Sequence, residues 1–420
     1  ANLAQILPMI LVGKVSDKVG RKRVYLAGLL LYIPAMVLFA ISSQVAIAAP
    51  LFLIFAGLLL VNLGFGVSDP ALVALTAESS DEDKRASSFS FVSIAVYASA
   101  LVGPIIIRIF AVRIPIYYYF YGLIGGYSIM FITQLIKLKE SFEIDDFTSN
   151  YWKQFLQSTK ALGQVIAQFF VSILNFLTMP FLLINRKSRE NTERGKFLTN
   201  VEKDMSLFGD IFKTKGVKFA VGYFIFDSFL WGLSLNIYNG AVKYAYSYTE
   251  SHIATMQLVL NLSTIIFFIP LTKISDRLKR REMLAMSQLA GSLFFTANII
   301  AHFTLPSYRL YVILIGWVGM GASIAFWVPG ILSILSDFDK KRRAEVYGMV
   351  SGIKSLGWLP TGIIAGFIIE RTIDTMGLLV PFILSVVLFP LELYLTMKFP
   401  EAKKDRGKEN EKKEQIELAV

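Results

Sequence analysis

Gly13-Lys14-Val15-Ser16-Asp17-Lys18-Val19-Gly20-Arg21-Lys22-Arg23, near the start of the chain, is echoed by Thr272-Lys273-Ile274-Ser275-Asp276-Arg277-Leu278-Lys279-Arg280-Arg281. In both stretches a Ser-Asp step leads into a run of Lys and Arg. Asp276 follows Asp17 by 259 residues, and the same interval of 259 separates Pro329 from Pro70 and Asp337 from Glu78. Each Pro-to-acid segment then runs through a short loop into Arg-Ala, Arg85-Ala86 in one case and Arg343-Ala344 in the other, the second loop being one residue shorter. Two loops at a common interval mean two homologous halves in one chain. Parallel repeats related by an axis along the membrane normal are a transporter architecture.

The chain between these loops is apolar. Of 420 residues, 55% are hydrophobic and 17% charged, too little polar surface to clothe a soluble domain of this size. The apolar residues come in blocks of about 20 or more, the length that crosses a bilayer as a helix. Eleven spans are expected: 1–16, 24–44, 51–77, 88–111, 114–138, 217–242, 252–271, 283–303, 308–335, 345–369 and 377–398. Residues 1–138 form an N-terminal bundle of five spans and 217–398 a C-terminal bundle of six. A basic linker, 139–216, joins them, and 399–420 is a charged, disordered tail. Within the linker, 161–185 is apolar but carries Gln164, Gln168, Ser172 and Asn175 along one helical face. It reads as a helix lying in the cytoplasmic interface, not as a further crossing.

Charge sets the orientation. Of the 42 Lys and Arg, 36 fall in 14–23, 84–85, 137–218, 273–281, 340–343 and 398–413. If the spans alternate, all of these lie on one side, which the positive-inside rule makes cytoplasmic. The net charge of +11 is therefore a topology signal and gives no reason to expect nucleic acid. With no cysteine and only His252 and His302, no disulfide, thiolate nucleophile or histidine metal cluster is available. No phosphate-binding Gly-Lys-Ser/Thr loop or nucleophile with its base is present. An enzyme is not expected, and energy must come from an ion or solute gradient.

The segment from Gly13 to Arg23 resembles the loop 2–3 signature of the major facilitator superfamily, Gly-x-x-x-Asp-(Arg/Lys)-x-Gly-(Arg/Lys)-(Arg/Lys). The resemblance spans the chain except 139–216 and the tail. The second copy departs from it, with Thr272 for the first Gly and Lys279 for the second. It implies an all-α membrane protein of that fold, two pseudo-symmetric helical bundles that here hold five plus six transmembrane helices. The span leading into the signature resembles the second helix of the family, so the first helix is expected to be missing. The implied protein is a monomeric, multi-pass permease of the cell membrane whose partners are the bilayer and a small solute, with no cofactor beyond a proton gradient.

The resemblance also assigns a conformational latch. Gly13 lets two helices approach closely. Asp17 accepts from the N-terminus of the helix beginning near Glu345, which favours negative charge. Gly20, Arg21 and Arg23 complete the loop, with Arg21 or Arg23 pairing with Glu78. Asp276, Arg280 and Asp337 would repeat this across the pseudo-twofold axis. The plainer reading is a solvated basic loop that only fixes topology.

Charges inside membrane spans are costly and mark function by default. Asp69 shares a helix face with Asn62 and Thr76. Asp227 has Tyr223, Ser234 and Tyr238 on roughly its own side. It lies about ten residues, or roughly 15 Å at helical rise, from the cytoplasmic start of its span, nearer the midplane than Asp69. Lys354 is the third charge. A carboxylate drawn out of water resists ionising and a nearby Lys offsets this, the balance a proton-coupled carrier needs. Asp227, Asp69, Lys354, Asn62 and Tyr238 are therefore the candidates for substrate contact or proton coupling, against the alternative of a permanent Asp69–Lys354 ion pair. Glu392, near a cytoplasmic helix end, reads as snorkelling to the interface. Trp231, Trp317 and Trp327 read as packing residues or cavity walls. Gly103-Pro104 resembles the centre of the family's antiporter motif, but Ser99, Ile107 and Arg108 stand where flanking glycines are expected. Proton-coupled transport with a lean to efflux is the leading expectation. Proton-coupled uptake of a sugar or organic acid, or a non-transporting receptor or scaffold on the same fold, are the alternatives.

Overall fold

The computed structural model describes residues 5, 6, 8, 9, 12, 13, 16, 20–45, 49–81, 84–110, 114–139, 217–338 and 343–399, and at 49, 107–110 and 337–338 the backbone alone. Its helices are α1 (Arg21–Ser42), α2 (Ala49–Glu78), α3 (Arg85–Phe110), α4 (Ile116–Lys137), α5 (Val217–Leu235), α6 (Tyr238–Tyr246), α7 (Glu250–Ile274), α8 (Arg280–Phe303), α9 (Pro306–Phe338), α10 (Arg343–Met376) and α11 (Leu379–Met397). Among the described residues there is no strand. Among the described residues, ten helical segments are long and apolar enough to cross a membrane, counting α5 and α6 as one, and they coincide with ten of the eleven spans expected. The other, 1–16, is described at seven positions: 5, 6, 8, 9, 12, 13 and 16, all helical. The expected interfacial helix at 161–185 and the tail lie outside the described residues.

The chain is a multi-pass integral membrane protein. Its outward faces carry large apolar side chains that water would not tolerate, such as Leu51, Phe52, Phe91, Phe303 and Ile363. Its interior is mainly apolar but also buries polar side chains such as Ser228, Asn261, Thr264, Gln288 and Asn298. Prolines sit inside α1, α2, α3, α7, α9, α10 and α11, as membrane helices allow when neighbours satisfy the freed carbonyls. The span expected as one helix over 217–242 breaks at Asn236–Ile237. Asn236 turns its amide to the Thr361 hydroxyl at 2.6 Å and the Trp358 carbonyl at 3.1 Å on α10.

The internal repeat is visible in the packing. In the first half α1 crosses α2 where Gly28 meets Gly64 and Ser68, too close for a side chain at Gly28. In the second half α8 crosses α9 at Ser287 and Ser323, whose hydroxyls bond at 3.1 Å. Ser287 and Ser323 stand 259 residues after Gly28 and Gly64, the interval of the loops. The α4 helix packs on α1 through the stacked rings of Tyr32 and Tyr127, 5.1 Å apart, as α11 packs on α8. Across the halves, α7 lies along α3, joined by an Asn261 amide to the Ala100 carbonyl at 3.1 Å. Met9 and Gly13 lie against α10, where Gly348 meets the Met9 backbone.

Candidate functional site

A cavity of about 470 Å³ lies between the two halves. Residues 5 and 9 and α2 wall it from one half, and α5, α9, α10 and Asn236 from the other. Its wall is largely apolar and aromatic, with Phe65, Phe224, Trp327, Leu332 and Trp358 among the lining residues. Against this wall stand Asp69, Tyr347, Lys354, Asn236, Ser351 and Ser355. The Tyr347 hydroxyl donates to Asp69 Oδ2 at 2.8 Å, so a residue of α10 satisfies the carboxylate of α2. The Lys354 ammonium stands 3.8 Å over the Trp327 ring, a contact worth about 2 kcal/mol where water is excluded. Among the described residues no carboxylate forms an ion pair with Lys354, though Asp227 and Asp69 both lie within its electrostatic reach. The permanent Asp69–Lys354 ion pair weighed from sequence is therefore not formed in this conformation.

The other candidates sit elsewhere. Asn62 turns its amide back onto the Leu58 carbonyl of its own helix at 2.7 Å. Tyr238 is enclosed by Phe294, Trp317 and Phe382 and donates to Asn298 at 2.8 Å. Trp231 packs on Phe295 with ring centres 4.6 Å apart. Of the three tryptophans singled out, only Trp327 lines the cavity. Asp227 is 3% exposed and lies behind the cavity wall, inside the C-terminal bundle. Gln288 of α8 donates to Asp227 Oδ1 at 3.2 Å and to the Tyr223 hydroxyl at 2.9 Å, and Thr396 of α11 reaches the same hydroxyl at 3.2 Å. Glu392 is 0% exposed. It faces this cluster and does not snorkel, which corrects the reading of it as an interfacial side chain.

The loop ends carry charged contacts. Arg21 forms an ion pair with Glu78, and Arg343 of the opposite half stands 4.0 Å from the same Glu78 oxygen. Arg85 Nε bonds the Ala77 carbonyl at 3.4 Å, and Arg343 Nε the Ser336 carbonyl at 3.3 Å. Ser336 follows Ala77 by 259 residues, so each half folds one Arg back in the same way. Asp276 accepts from the backbone N–H of Ala86 at 3.0 Å and Ser87 at 3.3 Å, and from the Ser87 hydroxyl. Gly13 abuts the backbone of Ala344 and Glu345 at the matching start of α10, with no room for a Cβ. Gly20 adopts a φ of 109°, open to glycine. Arg23 is buried. Arg280 opens α8. Asp17 and the side chain of Asp337 lie outside the described residues.

Sequence reasoning missed Tyr347, Trp358, Asn236 and Gln288. Each is an ordinary residue type on an apolar helix, and only the helix crossing gives it a role. Glu392 was visible as an intramembrane acid, but its facing was not.

The family model described as Major Facilitator Superfamily matches residues 1–201 and 219–419. No curated protein sequence matches the chain. Among solved structures, a crystal structure of the human organic anion transporter MFSD10 (TETRAN) is similar at TM-score 0.64 and 14% identity, over 94% of this chain and 81% of that one. The proton:xylose symporter XylE bound to 6-bromo-6-deoxy-D-glucose is similar at TM-score 0.66 and 15% identity, over 96% and 85%. The partially occluded inward-open form of XylE from E. coli follows at TM-score 0.62 and 13% identity, over 95% and 85%. At such identities the likeness concerns the fold alone.

Proposed function

The chain belongs to the major facilitator superfamily, and from that premise we propose that it is a secondary active carrier, moving a small solute across the cell membrane by alternating access and coupled to protons. The observation that carries this reading is the cavity between the halves, bridged by the Asp69–Tyr347 bond and holding Lys354. A membrane carrier needs a site at the junction of its repeats that the halves can enclose in turn. A scaffold on the same fold would have no use for a cavity with charges in it.

The contacts between halves at Glu78–Arg343, Asp276–Ala86 and Gly13–Ala344 gather at the ends the charge pattern makes cytoplasmic. They fit a state closed inside and open outside. The wall is mainly apolar and aromatic with one ammonium, Lys354, and one carboxyl, Asp69, which favours a solute with an apolar body and a charged or strongly polar group, and favours export. Organic-anion and sugar carriers are both found on this fold. Uptake of a sugar or organic acid is the second reading, favoured by Asn236, Ser351 and Ser355 in the wall.

Proteoliposomes of the full chain, loaded with a pH-sensitive dye and challenged with pools of organic anions and sugars, test the proposal. A solute that collapses an imposed pH gradient across vesicles holding the wild type, and not across empty vesicles, is the expected result. No solute-linked proton flux with any pool, together with no solute exchange, would overturn it.

A further inference from the structure

Behind the cavity, α5, α8 and α11 enclose a polar cluster in which acceptors outnumber donors. Glu392 is 0% exposed, and neither of its carboxylate oxygens finds a hydrogen-bond partner. Gln288 spends its amide N–H groups on Tyr223 and Asp227, and its own carbonyl oxygen is also without a partner. The Glu392 carboxyl shares this enclosure with Asp227 and Gln288. Two ionised carboxylates are both acceptors, and neither bonds the other until one carries hydrogen. Two like charges buried side by side disfavour each other's ionised form, the arrangement in which carboxyl pairs share a proton. What the cluster lacks is one positive hydrogen.

We propose that Asp227 and Glu392 share a single proton, forming a proton-binding site in the interior of the C-terminal bundle, separate from the solute cavity. The proton comes from water and returns to it. Bound, it sits as one O–H···O⁻ bond between the two carboxyl groups, and no covalent bond in the protein breaks. The other titratable groups about the pair are Tyr223 on α5, bonded to Gln288 and Thr396, and Lys354 on α10, within electrostatic reach of Asp227. Arg281 of α8 is held at the cytoplasmic end of α11 by the Met397 carbonyl, at 3.2 Å. Lys354 also reaches Asp69. It is thus the link between the two sites: when the pair loses its proton, the ammonium is drawn away from the cavity carboxylate and towards the pair. This inference deepens the proton-coupling reading, but its test needs no transported solute, so the two can fail separately.

Infrared difference spectra of the purified full chain, between neutral and alkaline pH, read protonated carboxyl groups directly. The wild type is expected to show one protonated-carboxyl stretch that bleaches at alkaline pH. The band should vanish in both Asp227→Asn and Glu392→Gln and persist in Asp69→Asn. Glu392→Gln supplies the missing N–H donor and should fold at least as well as the wild type, so it decides the matter if Asp227→Asn is poorly produced. No such band in the wild type, or a band that survives either substitution in the pair, overturns the proposal. So does a sodium-dependent rise in melting temperature that Glu392→Gln removes, since the occupant would then be a metal cation.

Discussion

Asp276 caps a helix of the other half: from the loop after α7 its carboxylate accepts the backbone N–H of Ala86 at 3.0 Å, in the first turn of α3. The contact combines a hydrogen bond with the positive end of the α3 dipole. It ties the two bundles at one end, and alternating access requires it to part. Asp276→Asn keeps the acceptor and removes the charge, at a cost of about 0.3–1 kcal/mol. Asp276→Ala removes both, at about 0.5–2 kcal/mol. Spin labels at the exposed Lys84 and Lys273 should show a widened distance population that grows from Asn to Ala, by roughly fivefold for each ~1 kcal/mol. Distance distributions identical to wild type in both variants would leave Asp276 a loop residue and nothing more.

Glu78 answers two guanidinium groups, Arg21 from its own half and Arg343 from the other. Arg21 is 0% exposed and Glu78 15%, so the substitution takes a charged partner from a buried guanidinium. Glu78→Gln should lower stability by about 3–5 kcal/mol, the cost of breaking a buried pair. Asp81→Asn breaks the pair with Lys84, where the partners are 78% and 73% exposed, and should cost at most ~0.5 kcal/mol. Thermal unfolding in detergent compares the two, and equal shifts would mean that Glu78 is not a structural hub.

Much of this was legible in the sequence because it follows from counting. Apolar blocks gave the spans and the interval of 259 gave the two halves. What was not legible is which way a side chain faces. Depth along the helix puts Asp227 nearer the midplane than Asp69, yet Asp69 lines the cavity and Asp227 lies behind it. Depth is a one-dimensional quantity and facing depends on which helices cross. Glu392 failed for the same reason: a helix end suggests an interface, and only the packing of α8 and α5 against α11 shows the carboxylate turned inward. Tyr347 gave no signal, since a tyrosine on an apolar helix is unremarked until an acid stands opposite.

The packing of α10 on α5 makes a prediction whose sign is unusual. Alanine for glycine in an open helix position normally stabilises, by up to ~1 kcal/mol. At Gly366 nothing lies within 4 Å of the added Cβ, and Gly366→Ala should behave so. At Gly357 the Cβ would run into the Ile225 carbonyl and the Ser228 side chain. Gly357→Ala should therefore destabilise, by about 1–3 kcal/mol of overpacking. Melting temperatures that move the same way in the two variants would refute the close approach.

Orientation can be read with two substitutions in a chain that has no native thiol. Lys84, between α2 and α3, is expected inside, and Lys243, paired with Glu250 at 2.5 Å, outside. An impermeant thiol reagent should label Lys243→Cys in sealed cells and Lys84→Cys only after permeabilisation. The reverse pattern would invert the topology, and labelling of both in sealed cells would break the alternation of spans.

The last prediction separates the two acids. Asp69 is held by the Tyr347 hydroxyl across the junction of the halves, at 2.8 Å, and shares the cavity with Lys354. Tyr347→Phe leaves the carboxylate without that donor, a loss of about 1–3 kcal/mol, or roughly five- to 150-fold in solute affinity if the bond organises the binding state. Lys354→Gln should weaken anionic solutes more than neutral ones, because it removes the cavity's cation and keeps a polar side chain of similar reach. Asp69→Asn keeps the Tyr347 bond as an acceptor but fixes the charge at neutral. If Asp69 answers the solute, this variant changes affinity and still accumulates solute against its gradient. If it carries the coupling proton, the variant exchanges solute passively and accumulates none. Asp227→Asn gives the opposite assignment by the same assay: passive exchange without accumulation places coupling behind the cavity, on the carboxyl pair. Unchanged proton-driven accumulation in Asp69→Asn, Asp227→Asn and the double variant would remove both residues from the coupling, and would place the coupling group elsewhere in the chain.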